Sequence, residues 1–142
     1  MTEIKQVYGT LHEQIQQIVA AGLEEHTRSC DGPPYKKDLI NWLVYEDDDS
    51  LVGVLTAESL WDWVYIGELW VDEKCRGKGI GRQLMGLVEE HAVSKKMIGI
   101  WLWTQSWQAP RFYEQMGFKE FARFEEFPEG HYRIGYRKRV FS

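Results

Sequence analysis

The sequence predicts an α/β protein of the mixed α+β kind, one domain over residues 1–142, from three observations. Apolar runs of strand length, Trp42 to Glu46, Leu51 to Ala57 and Trp63 to Val71, succeed one another across polar turns, the pattern of three consecutive antiparallel strands. Two helical periodicities, Leu11 to Leu23 and Ile80 to His91, lie on either side of that group. The second helix is entered directly from a strand through a glycine-rich loop, as in a strand–loop–helix unit.

Ile4 to Tyr8 reads as a short first strand. Thr10-x-x-Glu13 is a capping box leading into Leu11, Ile15, Ile18, Val19 and Leu23 at helical spacing. His26 to Asp38 contains Asp31-Gly32-Pro33-Pro34 and breaks regular structure, with a second short helix left open there. Asp47-Asp48-Asp49-Ser50 is a solvated hairpin turn, and a further turn lies near Leu60 to Asp62. Ile80, Leu84, Leu87, Val88 and His91 share one helical face, weakened internally by Gly86. Met97 to Trp103 is almost wholly apolar, as a central strand covered on both faces would be. Ser106 is placed to cap the next helix, where Pro110 is tolerated because first-turn amides have no internal acceptor, and Gly117 ends it. Phe118 to Phe127 and Tyr132 to Phe141 make a hairpin around Pro128-Glu129-Gly130. The predicted order is β-α-(α)-β-β-β-α-β-α-β-β.

With 17 basic against 22 acidic residues the formal net charge is −5. This disfavours nucleic acid as a partner and favours attraction of a cationic substrate. Arg133, Arg137, Lys138 and Arg139 do gather, and read as a solvated terminal strand guarded against edge pairing. Cys30 and Cys75 form neither a Cys-x-x-Cys pair nor a disulfide framework, and the histidines are scattered, so no metal site is predicted. No apolar stretch is long enough for a bilayer, so no membrane partner is expected, and a cytoplasmic location with reduced thiols is the simplest expectation.

The loop Cys75-Arg76-Gly77-Lys78-Gly79-Ile80-Gly81-Arg82 concentrates the chemistry. Glycines at a helix entrance expose unpaired N–H groups at the positive end of the helix dipole, which suits a phosphate. A triphosphate loop would need a hydroxyl residue after the lysine, and Lys78 is followed by Gly79. A dinucleotide fingerprint fails as well, since the third glycine position falls on Arg82 or Leu84. What remains is Arg76-x-x-Gly79-x-Gly81 after the strand Ile66 to Asp72. That pattern resembles the pyrophosphate loop of the GCN5-related N-acetyltransferases (GNAT). Gln108-Ala109-Pro110-Arg111-Phe112-Tyr113-Glu114-Gln115-Met116-Gly117-Phe118 is similar to the family's second signature, and Phe127 to Arg133 to a turn of its small bacterial members. The resemblance runs from about Leu51 to the end of the chain.

The resemblance implies a single GNAT-type domain: a mixed, mostly antiparallel sheet of about six to seven strands, flanked by about three to four helices and splayed at the cofactor site. It implies acetyl-CoA as cosubstrate, held by the backbone of Leu69, Trp70 and Val71, by the loop residues Arg76, Gly77, Lys78, Gly79, Ile80, Gly81 and Arg82, and by Ser106. Tyr113 is the implied proton donor to the departing sulfur, and Glu68, a carboxylate in an apolar strand, is favoured as base. Glu58 or Asp62 acting through water is the alternative base. Glu58, Trp61, Asp62 and Trp63 are candidates for holding an organic cation. The implied reaction is acetyl transfer to a primary amine, and the acidic balance with the tryptophans points to a small cationic molecule as acceptor. A protein lysine or N-terminus as acceptor and a non-catalytic acyl-CoA sensor are the rivals, and a homodimer is left open.

Overall fold

The computed structural model describes residues 2–141. Backbone contacts divide the chain into two compact units, Met1–Lys36 and Lys37–Ser142.

The first unit contains helix α1, Glu13–Ser29. Ile4 to Tyr8 is irregular and exposed, where a strand was expected, because a strand exists only with a partner and no sheet ladder includes these residues. The expected Thr10–Glu13 capping box does not form. His12 caps α1 instead, its Nδ1 accepting the Gln14 N–H at 3.1 Å. No second helix follows α1, since Pro33 and Pro34 interrupt the segment. None of the residues of α1 is buried, so its apolar positions Ile15, Ile18, Val19 and Leu23 are all exposed.

The second unit is a six-stranded mixed sheet with two helices. Its elements are β1 (Asp38–Tyr45), β2 (Leu51–Leu60), β3 (Trp63–Val71), α2 (Ile80–Ser94), β4 (Gly99–Gln105), α3 (Pro110–Gln115), β5 (Lys119–Glu125) and β6 (Tyr132–Arg139). The strand order is β1-β2-β3-β4-β6-β5. Every pairing is antiparallel except β3 with β4, the one that α2 connects. With α1 counted, this is the six-stranded, three-helix arrangement that the resemblance implied.

The core lies on the α2 side of the sheet, where Leu84, Met85, Val88 and Ala92 meet Leu55, Val64, Ile66, Ile100, Leu102, Ile134 and Tyr136. Alternation then sends Trp63, Tyr65, Trp101 and Trp103 to the opposite face. Within this unit these rings are half-buried.

Two features position the site. Pairing of β3 with β4 stops at Ile66↔Leu102, and beyond it the two strands part. At the same level β3 carries a bulge: register passes from Ala57↔Ile66 to Thr56↔Glu68, leaving Gly67 as the extra residue. Glycine fits there because a Cβ would stand 3.0 Å from Thr56 Oγ1.

Candidate functional site

Beyond β3, Asp72 caps a short 3-10 turn, its Oδ1 accepting the Lys74 N–H at 3.0 Å. Cys75 in this turn is buried, and its Sγ donates to Glu46 Oε1 at 3.0 Å. That hydrogen bond, then burial and the Glu46 charge, push the thiol up, so Cys75 is kept protonated and is a poor nucleophile.

Gly77 and Gly79 follow with φ of +80° and +81°, a region that side chains other than glycine adopt at a cost. A Cβ on either would meet nothing within 4 Å, so the loop's outer side is open. Gly79 is the N-cap of α2; no side chain caps this helix and no acid lies in its first turn. The opening amides are therefore left for an external acceptor, and nothing on the helix neutralises the positive end of its dipole. Arg76, Lys78 and Arg82 add charge around them. Arg76 Nε donates to the Val71 carbonyl at 3.1 Å, and Arg82 Nη2 donates to Gln115 Oε1 at 3.3 Å. Gly81 abuts Phe112, whose Cζ would be 3.3 Å from an added Cβ.

A cleft of about 670 Å³ opens where β3 and β4 part. Leu69, Trp70, Val71 and Arg76 line one wall, with Glu68 beside them, and Trp103, Thr104, Trp107, Gln108, Phe112 and Tyr113 the other. Of the residues expected to hold a cofactor, Gly77 to Arg82 are not on this wall. They continue from Arg76 into α2 and reach the cleft through the contact of Gly81 with Phe112. Ser106 is not on it either, and it does not cap α3, whose N-cap is Ala109. Its Oγ lies 3.3 Å from His131 Nδ1 and accepts the Tyr132 N–H at 3.4 Å, joining two loops. Gln108 takes over at the end of β4, its Oε1 accepting from Gln105 N at 2.9 Å and Thr104 Oγ1 at 3.2 Å.

Tyr113 is only 8% exposed and stacks edge-on against Phe112 and Phe118. Burial pushes its hydroxyl up to about 12, so it stays protonated throughout the neutral range. Neighbouring Tyr136 is raised too, by burial and by the bond its Oη donates to Glu114 Oε1 at 2.8 Å. Glu68 is exposed at the cleft, because the parted strands leave its side chain in solvent despite the apolar residues around it in sequence.

A second pocket, about 400 Å³, lies on the aromatic face of the sheet and is lined by Glu58, Trp61, Trp63, Tyr65, Trp101, Phe121 and Arg137 among others. Tyr65 and Trp101 pack at 4.5 Å between ring centroids. Glu58 pairs with Lys37, Oε2 to Nζ, at 3.6 Å. Trp61 and Asp62 form the two-residue β2–β3 turn with φ of +47° and +72°, which suits the strand twist but holds an indole in a left-handed conformation. Asp62 is not on the pocket wall; its carbonyl accepts the Ile98 N–H at 2.7 Å. By sequence Arg137 belongs to a solvated terminal strand. The β4–β6 register sets it opposite Trp101, with its guanidinium carbon 5.4 Å from the Trp63 ring. Alternation with buried Ile134 and Tyr136 was the signal that could have revealed its face.

The family model described as Acetyltransferase (GNAT) family matches residues 12–118. Blasticidin-S acetyltransferase of Streptomyces morookaense is 35% identical over 82 residues, covering 57% of this chain and 60% of the relative. Streptothricin acetyltransferase of Escherichia coli is 33% identical over 114 residues, covering 68% of this chain and 62% of the relative. The chain therefore spans less than two thirds of the length of these curated relatives. A crystal structure of an acetyltransferase from Bacillus cereus ATCC 14579 superimposes with a TM-score of 0.81 at 26% identity, covering 94% of this chain and 97% of that one.

Proposed function

The chain belongs to the Acetyltransferase (GNAT) family, and on that premise we propose that it moves an acetyl group from acetyl-CoA directly to the primary amine of a small molecule. The observation that carries this reading is the uncapped, glycine-lined entrance of α2 beside a cleft that contains the protonated Tyr113. The open space beyond Gly77 and Gly79 and the absence of any competing cap or acid fit a diphosphate. The two relatives named for blasticidin-S and streptothricin support a small-molecule acceptor.

In this reading the amides of Gly77 to Arg82 bind the diphosphate, and the backbone of Leu69, Trp70 and Val71 on the part of β3 without a β4 partner holds the thioester arm as an added strand would. Acetyl-CoA supplies the activated acetyl group. A β3 amide hydrogen-bonds the acetyl oxygen as charge develops there. The amine nitrogen bonds to the carbonyl carbon, the carbon–sulfur bond breaks with its electron pair on sulfur, and the surplus ammonium proton leaves to Glu68 directly or through water. Glu58 acting through water is the alternative acceptor of that proton. Cys75, buried and held protonated, takes no covalent part.

In this reading Tyr113, on the cleft wall with its hydroxyl pushed up to about 12, serves the departing sulfur. Full proton transfer from it to a thiolate of ordinary pKa near 8.5 is uphill by roughly 5 kcal/mol, so a hydrogen bond to the departing sulfur is its main contribution. Such a bond to a charged acceptor is worth about 1.5–3 kcal/mol. Tyr113→Phe is therefore expected to lower kcat by about 10- to 100-fold with little change in acetyl-CoA affinity, read by thiol release and calorimetry. An unaltered kcat would leave Tyr113 a packing residue only. The same burial has a second consequence. Tyr113 and Tyr136 ionise more readily unfolded than folded, so their contribution is complete below pH ~10 and declines as pH rises toward the raised values. Denaturant midpoints should accordingly fall above pH ~10, in step with tyrosinate absorbance.

The reading is tested by acetyl-CoA-dependent thiol release across amino acids, polyamines, aminoglycosides and peptides. Release with a small amine supports it. Release confined to peptides identifies a protein acceptor, and cofactor binding without release on any amine identifies a sensor.

A further inference from the structure

Two guanidinium groups stack on rings of the aromatic face of the sheet without a carboxylate paired to them. Arg133 and Arg137 alternate along β6 with buried Ile134 and Tyr136, so both project away from α2. Arg133 is clamped between rings, its guanidinium carbon 4.0 Å from the Trp103 centroid and 5.3 Å from that of Phe127, and its Nε is buried without a hydrogen-bond partner. Arg137 stands over Trp63. Among the described residues neither forms an ion pair. Stacking occupies the flat face of a guanidinium and leaves its in-plane N–H groups, arranged as a fork that matches a carboxylate.

Glu58 is the one carboxylate on the pocket wall, and Lys37 already offsets its charge. The uncompensated charge at the pocket is therefore that of Arg137, the opposite of the cation-attracting box expected from the sequence. The pocket also adjoins the cleft. Its floor pair Tyr65↔Trp101 immediately precedes Ile66↔Leu102, the last pair before the strands part, and one step along a strand is only about 3.3 Å.

We infer that the acceptor is an amino-carboxylate, a small molecule whose primary amine reaches the parted strands while its carboxylate is held by Arg137 and its apolar body lies on Tyr65 and Trp101. This rests on the acetyl-transfer reading for the reaction, but not for the binding. A polyamine, cationic along its whole length, meets the unpaired arginine unfavourably. Arg133, nearer the far end of β6, extends the positive field along the same face.

Intrinsic tryptophan fluorescence of the whole chain reads this directly, because the ligand would contact Trp63 and Trp101. The probes are matched pairs with and without a carboxylate: L-phenylalanine and phenethylamine, L-leucine and isoamylamine, L-ornithine and putrescine. In the wild type the carboxylated member of a pair is expected to bind about tenfold more tightly. Arg137→Gln should bring the two within about twofold, and Arg137→Lys should restore part of the preference as a point charge without the fork. Arg137 is exposed, so circular dichroism of both variants should match the wild type. Equal or better binding of the amines that lack a carboxylate, failure of every carboxylated probe to bind, or a preference that survives Arg137→Gln would overturn the inference. The same pairs in the thiol-release assay separate the two proposals. Arg137-dependent binding with no turnover retains the amino-carboxylate site and removes acetyl transfer, whereas turnover without carboxylate preference does the reverse.

Discussion

Gly79→Val is expected to weaken acetyl-CoA binding by about 30- to 100-fold while leaving the sheet folded. The residue sits at φ +81° as the N-cap of α2, where a β-branched side chain is sterically disfavoured. Valine would turn the loop out of this conformation and place two methyl groups on its open side, where the diphosphate would approach the amides. Losing one charge-assisted hydrogen bond, at about 1.5–3 kcal/mol, brackets the stated range. Gly86→Ala in the middle of the same helix is the control. An added Cβ there meets nothing within 4 Å, so it should gain about 0.5–1 kcal/mol of stability and leave cofactor affinity as it was. Calorimetry on the two variants distinguishes a local effect on the loop from a general effect on α2.

Gly99→Ala is expected to cost about 3 kcal/mol or more of folding stability. Gly99 opens β4 between two neighbours, paired with Trp63 on β3 and Arg139 on β6. A Cβ there would run into the Lys138 carbonyl oxygen and would stand 2.7 Å from Trp63 Cζ3 and 3.1 Å from Arg139 Cα. Two of these obstacles are backbone, so relief requires the strands to separate rather than a side chain to turn. The same change displaces the Trp63 ring, a wall of the aromatic pocket and the surface under Arg137. Urea denaturation should show a lower midpoint at an unaltered slope, and acceptor affinity should fall together with stability.

Much of the site-bearing frame was legible because local signals determine it. Alternating apolar residues bounded β3 at Trp63 and Val71, the glycine loop located the start of α2 at Ile80, and Pro110 with Gly117 bracketed α3. What escaped depends on partners distant in sequence. Ile4 to Tyr8 has strand-like composition but no ladder to join. Ser106 is a good cap by residue type, yet the chain turns so that it joins His131 and Tyr132 instead. Glu68 is flanked by apolar neighbours that in most strands would mean burial, and the parting of β3 from β4 exposes it. Arg137 resembles any charge on a terminal strand until the β4–β6 register sets it opposite Trp101. Register is a long-range property, and a shift of one residue would have sent both arginines to the core side.

The proposed reaction requires the α2 entrance and the neighbouring cleft to be a coenzyme site. Isothermal calorimetry of the purified chain with coenzyme A and acetyl-CoA tests that most directly. One site per chain is expected, with affinity falling as salt is raised, because a diphosphate at a helix entrance is held by partly exposed charge. A folded sample that produced no binding heat with either ligand, and whose Tm neither ligand raised, would contradict it.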